Sequence, residues 1–149
     1  MLRGTIWIAI RRFVDLAIAG VALIVVSPMM LAVALLVRRD GGPALFCQPR
    51  VGRDGRIFRI FKFRSMIVDA DRFLDDNGMP TRDRITPMGN FIRRTSIDEL
   101  PQLLNVLRGD MGVIGPRPIL PRLLPYMTEV ERHRFLIRPG ITGWAQVKG

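Results

Sequence analysis

The sequence predicts a mixed α/β chain: an apolar helical segment in residues 1–39, then a small polar α/β domain in residues 40–149 with one β-hairpin and several short helices. Three observations predict it. Leu16 to Val37 is apolar over 22 positions except at Ser27 and Pro28. The stretch LFCQPRVGRDGRIFRIFKF places strand-favouring residues on either side of Asp54-Gly55. Leu100, Leu103, Leu104 and Leu107 recur at helical spacing ahead of Gly109.

The apolar segment comes first. At about 1.5 Å per residue it reaches roughly 33 Å, the thickness of a hydrocarbon core. It is too long for the core of a cleaved leader, and no small-residue cleavage pattern follows it. Pro28 removes one backbone hydrogen bond and crowds the carbonyl near Ile24, and Ser27 can serve a freed backbone group there. Arg3, Arg11 and Arg12 precede the segment, while Arg38 and Arg39 follow it. Beyond Val37 the chain carries a net charge of +8. Loop charge therefore selects no side for a spanning helix. A kinked spanning helix and a wedge that enters and leaves by one face both fit. Asp15 is expected near the interface, paired with Arg11 or Arg12.

The polar remainder follows. Arg39-Asp40-Gly41-Gly42-Pro43 ends the helix as a turn cluster. Asp54-Gly55 supplies the two positive-φ positions of a type I′ hairpin turn. Arg56, Arg59, Lys62 and Arg64 give the second strand a basic face, either solvated or turned to phosphate or membrane. Residues 67–74 have helical spacing, ended by Asp75-Asp76-Asn77-Gly78. Asp69, Asp71, Asp75 and Asp76 read as a solvated face rather than a metal cluster, for no ligand-loop pattern accompanies them. A short helix is expected over Pro87 to Arg94, with Thr86 as its cap. The next helix runs from Glu99 to Arg108, with Pro101 in its first turn, Ser96 and Glu99 forming a capping box, and Gly109 closing it. Ile119 to Met127 reads either as a surface against lipid headgroups or as core. The glycine-rich turn Arg138 to Gly143 either approaches a nucleotide or is a plain loop.

Composition limits the chemistry. The single cysteine, Cys47, excludes an internal disulfide, and the single histidine, His133, excludes a multi-histidine metal site. Arginine supplies 21 of the 23 basic residues in a chain of net charge +10. Its planar fork suits phosphate and carboxylate. A nucleic-acid module would also be basic, but the apolar segment and the lack of an interleaved aromatic and basic platform argue against nucleic acid as a partner. Asp98 and Glu99, at a helix amino end, read either as capping acids or as a carboxylate pair at a phosphate site. In the second reading an ionised aspartate can attack phosphorus and a neighbouring glutamate can hold Mg²⁺.

The residues also match a known family. An arginine-rich start with Asp15, the Ser27-Pro28 segment, GGPALFCQPRVG, FKFRSM, RTSIDELPQLLNVLRGDMGVIGPRP and RPGITGWAQV occur in one order. Over about Arg11 to Gly149 the chain resembles the bacterial sugar transferase family, the monotopic phosphoglycosyl transferases. The resemblance implies transfer of a sugar-1-phosphate from a UDP-sugar to polyprenol (undecaprenyl) phosphate, with UMP released. It implies Asp98 as nucleophile through an aspartyl-phosphosugar, Glu99 as ligand of a Mg²⁺ cofactor, Arg117 as phosphate clamp and Arg93 as an active-site cation. Lys62, Arg64 and Arg138 join them as candidate phosphate-binding residues. The pocket around Asp98 is expected to include Arg117. The family's membrane element is a re-entrant helix-break-helix, so the resemblance places the break at Ser27 and Pro28. It implies a monotopic protein on the cytoplasmic face of the bacterial inner membrane, with interfacial helices touching lipid. Gly112 stands where the family often has Ser. Members usually continue beyond the position of Gly149, and larger ones carry a multi-span extension before the shared part. The expectation is therefore either the small form or a cut-down catalytic domain.

Overall fold

A computed structural model describes residues 2–74 and 83–148. The expected helix end at Asp75 to Gly78, with two of the four aspartates, lies outside the described residues. The chain divides into two compact units. The first comprises Met1–Ser27, Cys47–Phe61 and Gln102–Gly149; the second comprises Pro28–Phe46 and Lys62–Pro101.

Helix α1 runs from Leu2 to Val37 with Pro28 inside it. Ser27 Oγ donates to the Ile24 carbonyl at 2.9 Å, the acceptor that Pro28 has no N–H to serve. Trp7, Phe13, Val21, Ile24, Val25 and Leu31 are among its exposed apolar side chains. Among the described residues this is the one helix long and apolar enough to cross a membrane, and only 11% of its most apolar window is buried. A core helix of that composition would be covered.

In the first unit, strand β1 (Leu45–Val51) and strand β2 (Ile57–Phe63), which both continue into the second unit, pair as a two-stranded sheet. Their connection has Asp54 at φ 56°, ψ 24° and Gly55 at φ 76°, closed by the Arg56 N–H on the Arg53 carbonyl at 3.1 Å. That is the expected type I′ geometry. Strand β3 (Gly112–Ile114) pairs in parallel with β4 (Gly140–Thr142). A Cβ on Gly140 would lie 2.0 Å from the Gly115 nitrogen. The close approach of these two backbones therefore accounts for glycine at 140 without any ligand. Ala19 of α1, Ile60, Leu103, Val106 and Met111 form the unit's core.

Three side chains of α1 fasten onto this unit, and not as expected. Asp15 is buried and accepts the Val113 N–H at 3.0 Å. Arg11 donates to the Ile114 carbonyl, and Arg12 to the carbonyls of Val106 and Leu107. The expected pairing of Asp15 with Arg11 or Arg12 is corrected: helix side chains complete exposed backbone groups instead. Gly112 permits this, since a Cβ there would meet Asp15 Oδ2 at 2.9 Å.

Helix α3 (Gln102–Arg108) ends at Gly109, φ 92°. Its Asn105 is fully buried; it accepts the Phe61 N–H at 3.0 Å and donates to the Arg59 carbonyl at 2.8 Å. The amide thus acts as a neighbouring strand for β2. Asn105→Ala strands a buried donor and acceptor, and is expected to cost about 2 kcal/mol, read as a lower urea midpoint at unchanged slope. The turn Pro121–Tyr126 leaves Leu123 and Tyr126 exposed, with Leu120 and Leu124 half-buried. Helices α4 (Glu129–Arg132) and α5 (Trp144–Lys148) are short. Thr128 and Glu131 form a capping box on α4.

In the second unit, Val33 and Val37 of α1 pack with Phe63 and Ile92, flanked by Met88 and Ile97. Helix α2 (Pro87–Arg94) carries the expected cap, Thr86 Oγ1 accepting the Gly89 N–H at 2.8 Å. The helix expected over 67–74 is corrected to one 3-10 turn, Ala70–Phe73. The Ile67 N–H is taken by the Arg84 carbonyl, Met66 bridges Ile85, and Asp69 sits at φ 56°. Backbone pairing and a left-handed residue exclude the helix there. The basic face of β2 also divides. Arg56 and Arg59 are exposed, whereas Arg64 is buried.

Candidate active site

The second unit places charge beside charge because it packs three apolar residues together. Phe63, Ile92 and Ile97 meet in one cluster. Their chain neighbours Lys62, Arg93 and Asp98 therefore emerge close to one another. Asp98 lies in a 3-10 turn, Ile97–Glu99, entered through Ser96 at φ 57°. The expected capping box of Ser96 with Glu99 is corrected: the Ser96 carbonyl, not its hydroxyl, takes the Glu99 N–H, at 3.1 Å. A left-handed backbone turns the serine side chain away from the cap. The helix itself starts at Gln102, so Asp98 stands one turn ahead of α3 rather than on it.

Asp98 is 8% exposed. Lys62 Nζ is 3.9 Å from Asp98 Oδ2 and 2.6 Å from Glu99 Oε1. One ammonium thus bridges the acid pair. Burial raises the Asp98 carboxyl above its ordinary range; Lys62 and, more weakly, Arg93 oppose this, while Glu99 adds to it. Arg93 is exposed, and its Nε donates to Ser65 Oγ at 2.8 Å. Among the described residues its two terminal nitrogens meet no hydrogen-bond acceptor.

Arg64 follows Lys62 by two positions but has another occupation. Its Nε donates to the Pro43 carbonyl at 2.8 Å, Nη1 to Met66 O at 3.0 Å and to Asp40 Oδ2 at 2.8 Å, and Nη2 to Val37 O at 2.8 Å and to Asp40 Oδ1. All five donors are spent inside the unit, so none is left for a phosphate in this arrangement. Arg117 and Arg138 belong to the first unit. The Arg117 carbonyl accepts Arg134 Nη2 at 2.7 Å. Arg138 Nε donates to the Gly109 carbonyl at 2.9 Å; burial, then the nearby Arg12 and Arg53, lower its pKa. Sequence reasoning did not single out Ser65 or Asp40. Ser65 lies within the FKFRSM block, and Asp40 within the turn cluster, but nothing in their spacing announces a partner.

A buried carboxylate, an adjacent acid and two cations make a site suited to handling phosphate. A family model described as Bacterial sugar transferase matches residues 6–149. The chain belongs to the bacterial sugar transferase family. It is 47% identical to an undecaprenyl-phosphate glucose phosphotransferase of Komagataeibacter xylinus, over 93% of this chain and 28% of that protein. It is 40% identical to the UDP-glucose:undecaprenyl-phosphate glucose-1-phosphate transferase of Escherichia coli K12, over 94% of this chain and 31% of that protein. An uncharacterized sugar transferase, EpsL of Bacillus subtilis, is 44% identical, over 94% of this chain and 69% of its own length. The chain thus spans less than a third of the first two relatives and about two thirds of the last.

Proposed function

We propose that the protein transfers a sugar-1-phosphate from a UDP-sugar to a polyprenol phosphate, as the names of its relatives describe for undecaprenyl phosphate. The observation that carries this reading is the buried Asp98 carboxylate, held beside Lys62 and Arg93 in a chain of this family. An Asp98 oxygen attacks the sugar-side phosphorus. The bond from that phosphorus to the bridging oxygen breaks, and UMP leaves with the electron pair. An oxygen of the polyprenol phosphate then attacks the same phosphorus and displaces the carboxylate, giving a polyprenol diphosphate sugar and free Asp98. Lys62 and Arg93 are assigned to the phosphate charges beside Asp98. Arg64 is assigned to folding.

Among the described residues no three His, Cys, Asp or Glu side chains gather into a metal cage. The Asp98–Glu99 pair fits the commoner arrangement, in which Mg²⁺ shares one or two carboxylates with substrate phosphates. Glu99 is the residue assigned to hold it, and the bound ion would neutralise diphosphate charge. The direct test is UMP release from a panel of UDP-sugars by the full chain with undecaprenyl phosphate. Absence of UMP with every donor would overturn the reading.

Helix α1 is assigned a re-entrant course with its break at Ser27-Pro28, residues 1–39 as anchor and residues 40–149 as the catalytic part at the cytoplasmic face. Basic flanks on both sides and the Ser27 bond to the orphaned Ile24 carbonyl support it. An amino-terminal tag and the exposed Cys47 are then expected on the same side of sealed inverted vesicles, both open to reagents. Pro28→Leu restores the missing hydrogen bond and is expected to put the tag on the opposite side. A tag already opposite Cys47 in the unaltered chain sinks the re-entrant course.

A further inference from the structure

We infer that Ser65 is a positioning residue that aims Arg93 at the phosphates of the donor; this rests on the transferase reading above. Ser65 is 8% exposed, and its hydroxyl oxygen accepts Arg93 Nε at 2.8 Å. A guanidinium carries one N–H on Nε and four on its terminal nitrogens. Tethering Nε fixes the plane of the fork, and the terminal pair remains for a bidentate grip on phosphate oxygens. Among the described residues no group accepts a hydrogen bond from that pair.

The tether is itself held rigidly. The Ser65 carbonyl accepts the Thr86 N–H at 3.1 Å, and Thr86 caps α2. A Cβ on Gly89 would lie 1.8 Å from the Ser65 oxygen, so α2 lies directly on the backbone of residue 65. Gly89 and Arg93 are four residues apart and share a helix face. The first turn of that face therefore touches the Ser65 backbone, and the next delivers Arg93 to its hydroxyl. Ile92, fully buried beside Phe63, prevents the helix from rotating. Arg93 already acts on Asp98 by its charge. A fork free to swing would bind donor phosphate in many orientations, and fixing it removes that entropy before substrate arrives.

The test is a double-mutant cycle on UMP release by the full chain with a UDP-sugar that it turns over. Ser65→Ala is expected to lower kcat/KM about tenfold, carried mainly by a higher KM for the donor. Ser65→Thr keeps the hydroxyl and is expected to restore that KM. In an Arg93→Ala background, Ser65→Ala is expected to cost nothing further, because the group it aims is gone. A merely structural serine would instead lower the melting temperature and add its full loss in both backgrounds. The inference is overturned by a donor KM unmoved in Ser65→Ala, or by an undiminished loss when Arg93 is absent. If the unaltered chain releases no UMP from any donor, the transferase reading itself falls, which is a different result.

Discussion

Asp98→Asn is expected to abolish UMP release, by at least about 10³-fold, while raising the thermal stability of the protein at neutral pH. The first effect follows from removing the nucleophile without changing its size. The second follows from burial, which raises the Asp98 pKa more than Lys62 lowers it. Between the unfolded value of 3.8 and the raised folded value, the native state binds more protons than the unfolded chain. Stability therefore falls as pH rises through that window, and ionised Asp98 opposes folding above it. The neutral amide carries no such term. The melting curves of the two proteins should converge in acid and separate towards neutrality, with the Asp98→Asn variant higher. Activity of the unaltered protein should rise with pH through the same window, since only the carboxylate attacks phosphorus. Thermal melts across pH, paired with UMP release, check both halves. A variant that melts lower at neutral pH would mean that the cations outweigh burial.

This opposition between folding and chemistry also explains what was legible in the sequence. The apolar run, the Asp54-Gly55 turn, helix α2 with its Thr86 cap and the Gly109 stop are local signals, written in consecutive residues. Each appears where local chemistry puts it. Asp98 and Glu99 were legible as an acid pair for the same reason. Their surroundings were not. Lys62 reaches Asp98 from 36 positions upstream because Phe63 and Ile97 pack in one cluster, and apolar residues do not name their partners. The Ser96–Glu99 pattern suited a capping box by spacing, yet a single left-handed residue redirected it. Residues 67–74 had helical spacing, but the Ile67 N–H had a better acceptor in the Arg84 carbonyl. Asp15 pointed toward arginine by sign alone. The structure gives it the backbone N–H of Val113 instead.

Arg64 gives the second large expected effect, and it separates two roles that sequence could not. On β2 the cations at 62 and 64 share one face by the period of two. The strand ends at Phe63, however, and Arg64 leaves the pleat. It turns into the unit, where one guanidinium satisfies the carbonyls of Val37, Pro43 and Met66 and pairs with Asp40. Arg64→Ala leaves three carbonyls and a carboxylate without this donor, and is expected to cost about 3–5 kcal/mol. Arg64→Lys should recover only part of that, since three donors on a point charge cannot replace a planar fork of five. Acid should erase part of the difference. The hydrogen bond from Arg64 is the main cause holding the Asp40 carboxyl below 3.8. That contribution is fully present above the unfolded value and lost as pH falls through the depressed folded one. Urea midpoints of the unaltered and Arg64→Ala proteins should therefore approach one another in acid without meeting, because the three carbonyls do not titrate. A cation that served only substrate phosphate would behave otherwise, raising the donor KM on replacement and leaving the urea midpoint where it was.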